Sequence, residues 1–227
     1  MRVFDYEGDA RRAMDVVLDG GIAIIPTTVG YVILGATTDA INRTIEVKQR
    51  GPSKLNAVIG CAAMHAALHK LNGHNREIVR TIIDGYDLPM GTVAPADLNH
   101  PMLKGLDAGV LERTTLGGTL AMLLNAGPLL DIMAQLSFEA DRLVVGSSAN
   151  LSLRGTKFRA TDIEPEVLDA ADLVIDYGLM RWANYGKSST MINAHDFTVV
   201  RHGSCFDLIS DVLKRHYNMA LEVPEGA

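Results

Sequence analysis

The sequence predicts one α/β domain, in which helices flank a mixed parallel and antiparallel sheet. Short apolar runs alternate with segments whose apolar residues recur at helical spacing, and the last two runs lie close together in sequence. At 227 residues, one large domain is favoured over two. No repeat, low-complexity tract or linker interrupts the pattern, so we expect residues 1–227 to form a single domain.

Six segments have the pattern of helices. In the first, Ala13, Val16 and Val17 share one face, and Gly20-Gly21 ends the helix. In the second, Asp39 is the predicted N-cap. The predicted helices span residues 9–18, 39–49, 61–71, 75–83, 128–136 and 207–216.

Short apolar runs between these helices predict buried strands. The first run, 22–25, is expected to stop at Pro26. Residues 85–118 are rich in proline and glycine, which favours loops and short strands there. The apolar runs span residues 22–25, 31–34, 57–59, 120–124, 143–145, 173–175, 190–192 and 197–201.

Composition favours a soluble cytoplasmic protein. The two cysteines are too few for a disulfide framework, and no apolar run approaches a membrane span. The acidic N-terminal residues do not resemble a signal peptide. A net charge of −6 argues against a surface that coats nucleic acid, although a local basic cavity is compatible with it.

Two cations one residue apart stand at the end of the second predicted helix. On an extended segment, Lys48 and Arg50 would point to the same side, where the Arg fork and the Lys point charge suit phosphate oxygens. On spacing alone, a solvated helix end is the commoner explanation, since cations there meet the helix dipole favourably.

A second polar motif follows the apolar run 143–145. The string Ser148-Ala149-Asn150-Leu151-Ser152 places small hydroxyl and amide side chains at a strand end. A polar turn is the commonest fate of such residues, but strand ends are also where α/β proteins bind phosphate-rich ligands.

Together, these motifs resemble the YrdC-like family, whose best-known members are threonylcarbamoyl-AMP synthases. The resemblance spans about residues 8–210 and implies a twisted open mixed sheet, without the extra C-terminal domain of longer members. It implies that Lys48 and Arg50 act on the nucleotide as the catalytic cations, that Lys54 and Asn150 also contact ATP, and that Ser148 contacts the acceptor. One glycine, Gly51, is inserted after the family's Lys-x-Arg.

Three further segments follow the family's order. The resemblance implies a substrate-facing hydroxyl in Pro26-Thr27-Thr28, where Thr28 is the preferred residue although the family's acid is missing. Ser189 and Thr190 match its Ser-Thr strand and are expected to bind substrate. Arg201, before His202-Gly203, matches its Leu-Arg-x-Gly ending and is expected to contact ATP.

The resemblance implies an enzyme that forms a carbamoyl-adenylate from ATP with Mg²⁺ and releases pyrophosphate. Usual members combine bicarbonate with L-threonine for tRNA modification, which implies partner proteins of that pathway and no membrane. A related alternative takes carbamoyl phosphate or another amine. A third, non-enzymatic alternative is a module that binds double-stranded RNA or the ribosome, which the acidic charge disfavours.

Departures from the family cluster on the amino-acid side. Residues 119–124 contain no equivalent of the Arg that grips the carboxylate, and Gly60 stands near a position where many members have His. Without its Arg, a buried carboxylate loses a charge-assisted bond worth roughly 1.5–3 kcal/mol. The acceptor is therefore expected to differ from threonine, unless Lys54 or Arg113 replaces the missing Arg.

One pair of histidines has a spacing that is compatible with a zinc site. His65 and His69 stand four residues apart on a predicted helix, so both rings could share one face. The zinc-protease glutamate between them and a third ligand are missing, which favours an ordinary surface or half-buried pair.

Overall fold

The computed structural model describes residues 4–49, 56–104 and 106–223. These residues form helices that alternate with strands, and a π-helical turn, Thr81–Gly85, extends the fourth helix. The α-helices are α1 Tyr6–Leu18, α2 Thr38–Val47, α3 Ala62–Leu68, α4 Gly73–Arg80, α5 Pro101–Lys104, α6 Ala108–Thr114, α7 Pro128–Glu139, α8 Pro165–Asp169 and α9 Phe206–Tyr217.

The strands join into one mixed sheet with the order β10-β9-β4-β6-β3-β7-β2-β1-β8, and β5 pairs with β6 off this path. The pairs β1–β8, β3–β6 and β4–β9 are parallel, and the others are antiparallel. This arrangement confirms the predicted α/β fold with a mixed sheet. The strands are β1 Ala23–Thr27, β2 Gly30–Gly35, β3 Ala57–Gly60, β4 Met90–Pro95, β5 Thr115–Leu116, β6 Thr119–Leu124, β7 Val145–Ser148, β8 Leu173–Val174, β9 Met191–Asn193 and β10 Val199–Arg201.

The main core lies between the sheet and a pair of helices. Helices α1 and α7 pack on each other, and α7 also packs on β1 and β3. Their apolar faces are fully buried, as Val17 of α1 and Met133 of α7 illustrate. Strand β1 is buried along its whole length because Ile25 joins this core while Ile24 joins a second cluster with Tyr31.

Three local expectations are wrong. Pro26 does not stop β1 but lies within it. Proline lacks a backbone N–H, but the short β8 pairs only with Ala23 and Ile24 and needs no donor from position 26. The N-cap of α2 is Thr37, whose side chain accepts from the backbone N of Ala40. Residues 85–118 contain helices α5 and α6 in addition to the expected short strands, β4 and β5, because helices this short carry little periodic signal.

The segment around Lys48 also differs from its expected extended form. Lys48 caps the C-terminus of α2 with helical dihedral angles, and Gln49 follows with a φ of 49°. The side chain of Lys48 is therefore aimed by the end of a helix. Arg50 lies outside the described residues.

The helices of the described ranges are all too short or too polar to cross a membrane.

Gly30 is predicted to be intolerant of a side chain. Its φ is +126°, and an added Cβ would lie 2.3 Å from Thr156 Cγ2 and 3.1 Å from the carbonyl O of Lys157. We expect Gly30→Ala to lower the free energy of unfolding by about 2 kcal/mol or more, measured by urea denaturation.

Gly73→Ala is the matched control, because nothing lies within 4 Å of a Cβ at this first position of α4. This variant should be neutral or more stable by up to about 1 kcal/mol. Equal unfolding midpoints for the two variants would contradict the packing described for Gly30.

Candidate active site

A cavity of about 120 Å³ lies on the sheet, where strands from both halves of the chain meet. We call it the central cavity. Its wall combines aliphatic side chains with two serine pairs and one guanidinium. The described residues that line it are Val32, Leu34, Ala57, Val58, Ile59, Gly91, Leu123, Gly146, Ser147, Ser148, Ser188, Ser189, Met191 and Arg201.

The first serine pair ends strand β7. Ser148 Oγ donates to Asn150 Oδ1, and the amide of Asn150 donates to the Leu151 carbonyl at 2.5 Å. Ser147 Oγ is buried and has no hydrogen-bond partner among the described residues. Ser147 pairs with Ile33 and Ser148 with Val32, so the two serine side chains point to opposite faces of the sheet and only that of Ser148 lies on the cavity face with Val32. Ser147 was not among the predicted site residues.

Lys48 lies beneath this motif. Its side chain is only 1% exposed, and Nζ donates to the Ser148 carbonyl and, at 2.5 Å, to the Asn150 carbonyl. The Lys48 carbonyl in turn accepts from Ser152 N at 3.0 Å. Lys48 and Asn150 thus fix the loop that follows β7, and neither lines the central cavity in this structure. Their predicted contact with ATP stays a prediction.

The second serine pair is held by the chain segment after β10. Ser204 N donates to the Ser188 carbonyl at 2.7 Å, and Thr190 Oγ1 donates to the Ser204 carbonyl at 2.8 Å. At Gly203 a Cβ would lie 2.3 Å from the Ser188 carbonyl, so only glycine permits this approach. Thr190 is completely buried in these contacts, whereas Ser189 lines the cavity.

Arg201 faces the same serine pair from β10. Its Nε and Nη2 donate to the Ser189 carbonyl at 3.0 and 2.9 Å, and Nη2 also contacts Ser189 Oγ at 3.0 Å. Nη1 has no hydrogen-bond partner among the described residues and is free to bind an anion. Burial of the guanidinium lowers the pKa of Arg201, although the residue as a whole is exposed. An arginine remains charged at neutral pH because its ordinary pKa is above 12.

The structure therefore brings three of the predicted residues, Ser148, Ser189 and Arg201, into one cavity. Thr28 lines other cavities, near the N-terminus of α7. Arg50 and Lys54 lie outside the described residues, in the segment before Asn56. That segment leads into Ala57, which lines the central cavity.

Comparison with known proteins decides the family. A family model for Sua5, YciO and YrdC proteins, described as telomere recombination, matches residues 15–203. The chain belongs to the Sua5/YciO/YrdC family. No curated protein sequence matches the chain.

Solved structures share the fold at low sequence identity. The hypothetical protein smu.1377c from Streptococcus mutans UA159 is 20% identical, with a TM-score of 0.73 over 93% of both chains. Sua5 of P. abyssi, solved in complex with L-threonine, is 18% identical with a TM-score of 0.71, and the match covers 98% of this chain but 61% of Sua5. YciO of E. coli is 18% identical with a TM-score of 0.62, over 87% of this chain and 90% of YciO.

The strand that would carry the family's carboxylate-binding Arg presents only apolar and small side chains to the cavity side. Burial alternates along β6, with Leu120, Met122 and Leu124 completely buried. Leu123, on the opposite side, lines the central cavity. Arg113, one of the two residues considered as a replacement, is not among the described residues that line this cavity.

Gly60 is not the position from which a family histidine could reach the central cavity. A Cβ at Gly60 would lie 2.2 Å from Met122 Cγ and 3.0 Å from Leu124 Cδ2, both in the buried core. A side chain here would enter the core. Gly60 therefore does not bear on acceptor choice, contrary to the expectation from the sequence.

The histidine pair is buried, which corrects the expected surface or half-buried position. His65 Nδ1 and His69 Nδ1 lie 2.8 Å apart, and His69 Nε2 bonds the Leu120 carbonyl at 3.1 Å. Burial lowers the pKa of His65 to about 4 and that of His69 to about 3, so both are neutral at pH 7. Within the described ranges, no group of three or more His, Cys, Asp or Glu side chains could hold a metal ion.

Lys48 is predicted to stabilise the loop after β7. Lys48→Met leaves the Ser148 and Asn150 carbonyls without this donor, so the free energy of unfolding should fall by about 2 kcal/mol in urea denaturation. Hydrogen exchange should also accelerate at residues 148–152.

Lys70→Met is the matched control, because Lys70 is exposed and only pairs with Asp97 at 3.2 Å. Its effect should stay within about 0.5 kcal/mol. If both variants lost the same small amount of stability, the loop would not depend on Lys48.

Proposed function

We propose that this protein forms a carbamoyl-adenylate from ATP and releases pyrophosphate, and that the reaction takes place in the central cavity. The observation that carries this proposal is the meeting of Ser147-Ser148, Ser188-Ser189 and Arg201 in one cavity. Membership of the Sua5/YciO/YrdC family and the Sua5 structure solved with L-threonine also support it.

The polar side of the cavity suits a phosphate group. Arg201 donates through Nε and Nη2 to the Ser189 carbonyl. These bonds fix the orientation of the guanidinium, so the direction of Nη1 is set before an anion binds. Ser189 Oγ accepts from Arg201 Nη2, so its own O–H can donate to a phosphate oxygen, and a charged donor shortens and strengthens such bonds. The site is thus preorganised for an anion.

The proposed reaction needs no side-chain nucleophile. A carbamate oxygen attacks the α-phosphorus of ATP, a new P–O bond forms, and the bond between the α-phosphorus and the bridging oxygen breaks as pyrophosphate leaves. The protein contributes alignment and neutralisation of phosphate charge. Mg²⁺ would arrive with the nucleotide, since it commonly keeps several waters and binds substrate phosphates.

A whole nucleotide exceeds the described cavity. The central cavity has a volume of about 120 Å³, which is below the roughly 300–1,000 Å³ of typical ligand pockets, so it accommodates only the reacting groups. We assign the remaining phosphate contacts to Arg50 and Lys54, on the family pattern of their segment. Lys48 and Asn150 would act on the nucleotide by positioning Ser148, unless the loop rearranges on binding.

The apolar side of the cavity supports an acceptor other than L-threonine. Ile59 and Leu123 line it, and Arg201 is the one cationic side chain among the described lining residues. If Arg201 binds phosphate, an α-carboxylate in this cavity has no described cation to pair with, and leaving it unpaired is costly. An acceptor amine without a carboxylate would fit this lining better, whereas carbamoyl phosphate as donor would need its phosphate to bind at Arg201.

ATP binding is the first test. With Mg²⁺ present, calorimetry should show that Arg201→Ala and Arg50→Ala each weaken binding by about tenfold or more, the worth of a charged contact with phosphate. Arg215→Ala is the matched control, because Arg215 is exposed and pairs with Asp211 on α9. The conservative variant Arg201→Lys tests the same contact if Arg201→Ala does not fold. Unchanged affinity in both Arg201 variants, with folding intact, would remove this residue from the site.

The acceptor is tested by pyrophosphate release. With L-threonine and bicarbonate, kcat/KM should be at least about tenfold below that of a family member that has the carboxylate-binding Arg. The same assay with uncharged amines and with carbamoyl phosphate should find a better substrate. Comparable kcat/KM with threonine in the two enzymes would falsify the altered-acceptor proposal and leave the adenylation proposal standing.

A further inference from the structure

A second cavity, of about 160 Å³, lies at the N-terminal end of α7. We call it the α7 cavity. Six polar or aromatic side chains line it, and none of them lines the central cavity. They are Thr28, Asp87, Asn125, Asp131, Arg181 and Trp182.

Two of the residues that line this cavity each have a buried polar atom with no hydrogen-bond partner among the described residues. These atoms are Thr28 Oγ1 and Trp182 Nε1. The indole N–H can only donate, so it requires an acceptor that the described chain does not supply. Leaving such groups unpaired is unfavourable, which indicates that the cavity takes up a polar molecule.

Asp131 is the third group without a partner. Its carboxylate makes no hydrogen bond or ion pair with the described residues, whereas Asp87 pairs with Arg181 at 3.2 Å and accepts from Asn125 at 3.2 Å. Burial, and secondarily the charge of Asp87, raise the pKa of Asp131 to about 7. A cation bound here would reverse this shift.

The charges of the cavity match one small cation. With Asp131 ionised, the two carboxylates and the Arg181 guanidinium leave a net charge of −1. Arg181 forms its ion pair with Asp87 and stacks on the Trp182 ring, with 4.7 Å from Cζ to the centroid. The volume corresponds to roughly five water-sized groups, so the occupant is small.

We propose that the α7 cavity binds a small ligand with one ammonium group and a neighbouring oxygen that accepts a hydrogen bond. The ammonium group pairs with Asp131, and the oxygen accepts from Trp182 Nε1. Thr28 Oγ1 bonds to either group. Amino alcohols are the simplest members of this class. The site is separate from the central cavity, so its existence does not rest on the proposed adenylation.

Trp182 provides a direct readout because it is the single tryptophan of the chain. Titration with ethanolamine at pH 8 and constant ionic strength should change its fluorescence in a saturable way. Binding favours ionised Asp131, so it releases a proton and strengthens as the pH rises through 7. The ionised fraction falls about thirtyfold from pH 8 to pH 5.5, and the affinity should fall similarly.

Variants and a second probe separate this site from a non-specific effect. At pH 8, Asp131→Asn should weaken ethanolamine binding at least tenfold and abolish its pH dependence, and Thr28→Val should weaken it several-fold. Asp211→Asn, the same change in charge on the exposed face of α9, should leave binding unaltered. Propylamine, which lacks the oxygen, should bind several-fold more weakly than ethanolamine.

Two outcomes would overturn the proposal. One is a fluorescence change that does not saturate with ethanolamine. This result would show that ethanolamine does not bind in the α7 cavity and that water alone fills it. The other is an equal response in the wild type and in Asp131→Asn, with far-ultraviolet circular dichroism showing both folded. Loss of pyrophosphate release in a central-cavity variant with unchanged ethanolamine binding would confirm that the two sites are independent.

Discussion

The ammonium group of Lys48 lies under the loop after β7, and the polar side of the central cavity depends on this contact. A lysine that is 1% exposed requires partners, because burial of an unpaired charge is very costly. The carbonyls of Ser148 and Asn150 supply them, and the end of α2 holds the lysine in place. These contacts fix the loop after β7 and the adjacent Ser148, which lines the central cavity.

The segment after β10 fixes the second serine pair of the central cavity. Gly203 allows the chain after β10 to approach the backbone of Ser188 closely, and Arg201 grips the Ser189 carbonyl. The two serine pairs are about 40 residues apart in sequence and are brought together only by the sheet order. Rigid placement of this kind is what a site that works by alignment and electrostatics requires.

Periodicity predicted the alternating elements and the mixed sheet, and the family resemblance named Ser148, Ser189 and Arg201 among the site residues. They could not predict the burial of Lys48, since charged side chains are usually exposed and only the tertiary contact with the loop reveals the exception. The position of Thr28 also depends on a tertiary contact that the sequence does not reveal. Its backbone N bonds to the Ala126 carbonyl, and Thr28 lies near α7 instead of in the central cavity. Gly60 shows that a position matched in sequence can face the core instead of the site.

The central claim is that the ATP phosphates bind between the two serine pairs. A crystal structure with Mg²⁺ and an ATP analogue that resists cleavage between the α- and β-phosphates tests it most directly. The account predicts an α-phosphate oxygen within hydrogen-bond distance of Arg201 Nη1 and of Ser148 or Ser189 Oγ. A nucleotide whose phosphates lie in the α7 cavity, or on the outer surface of the helices, would contradict it.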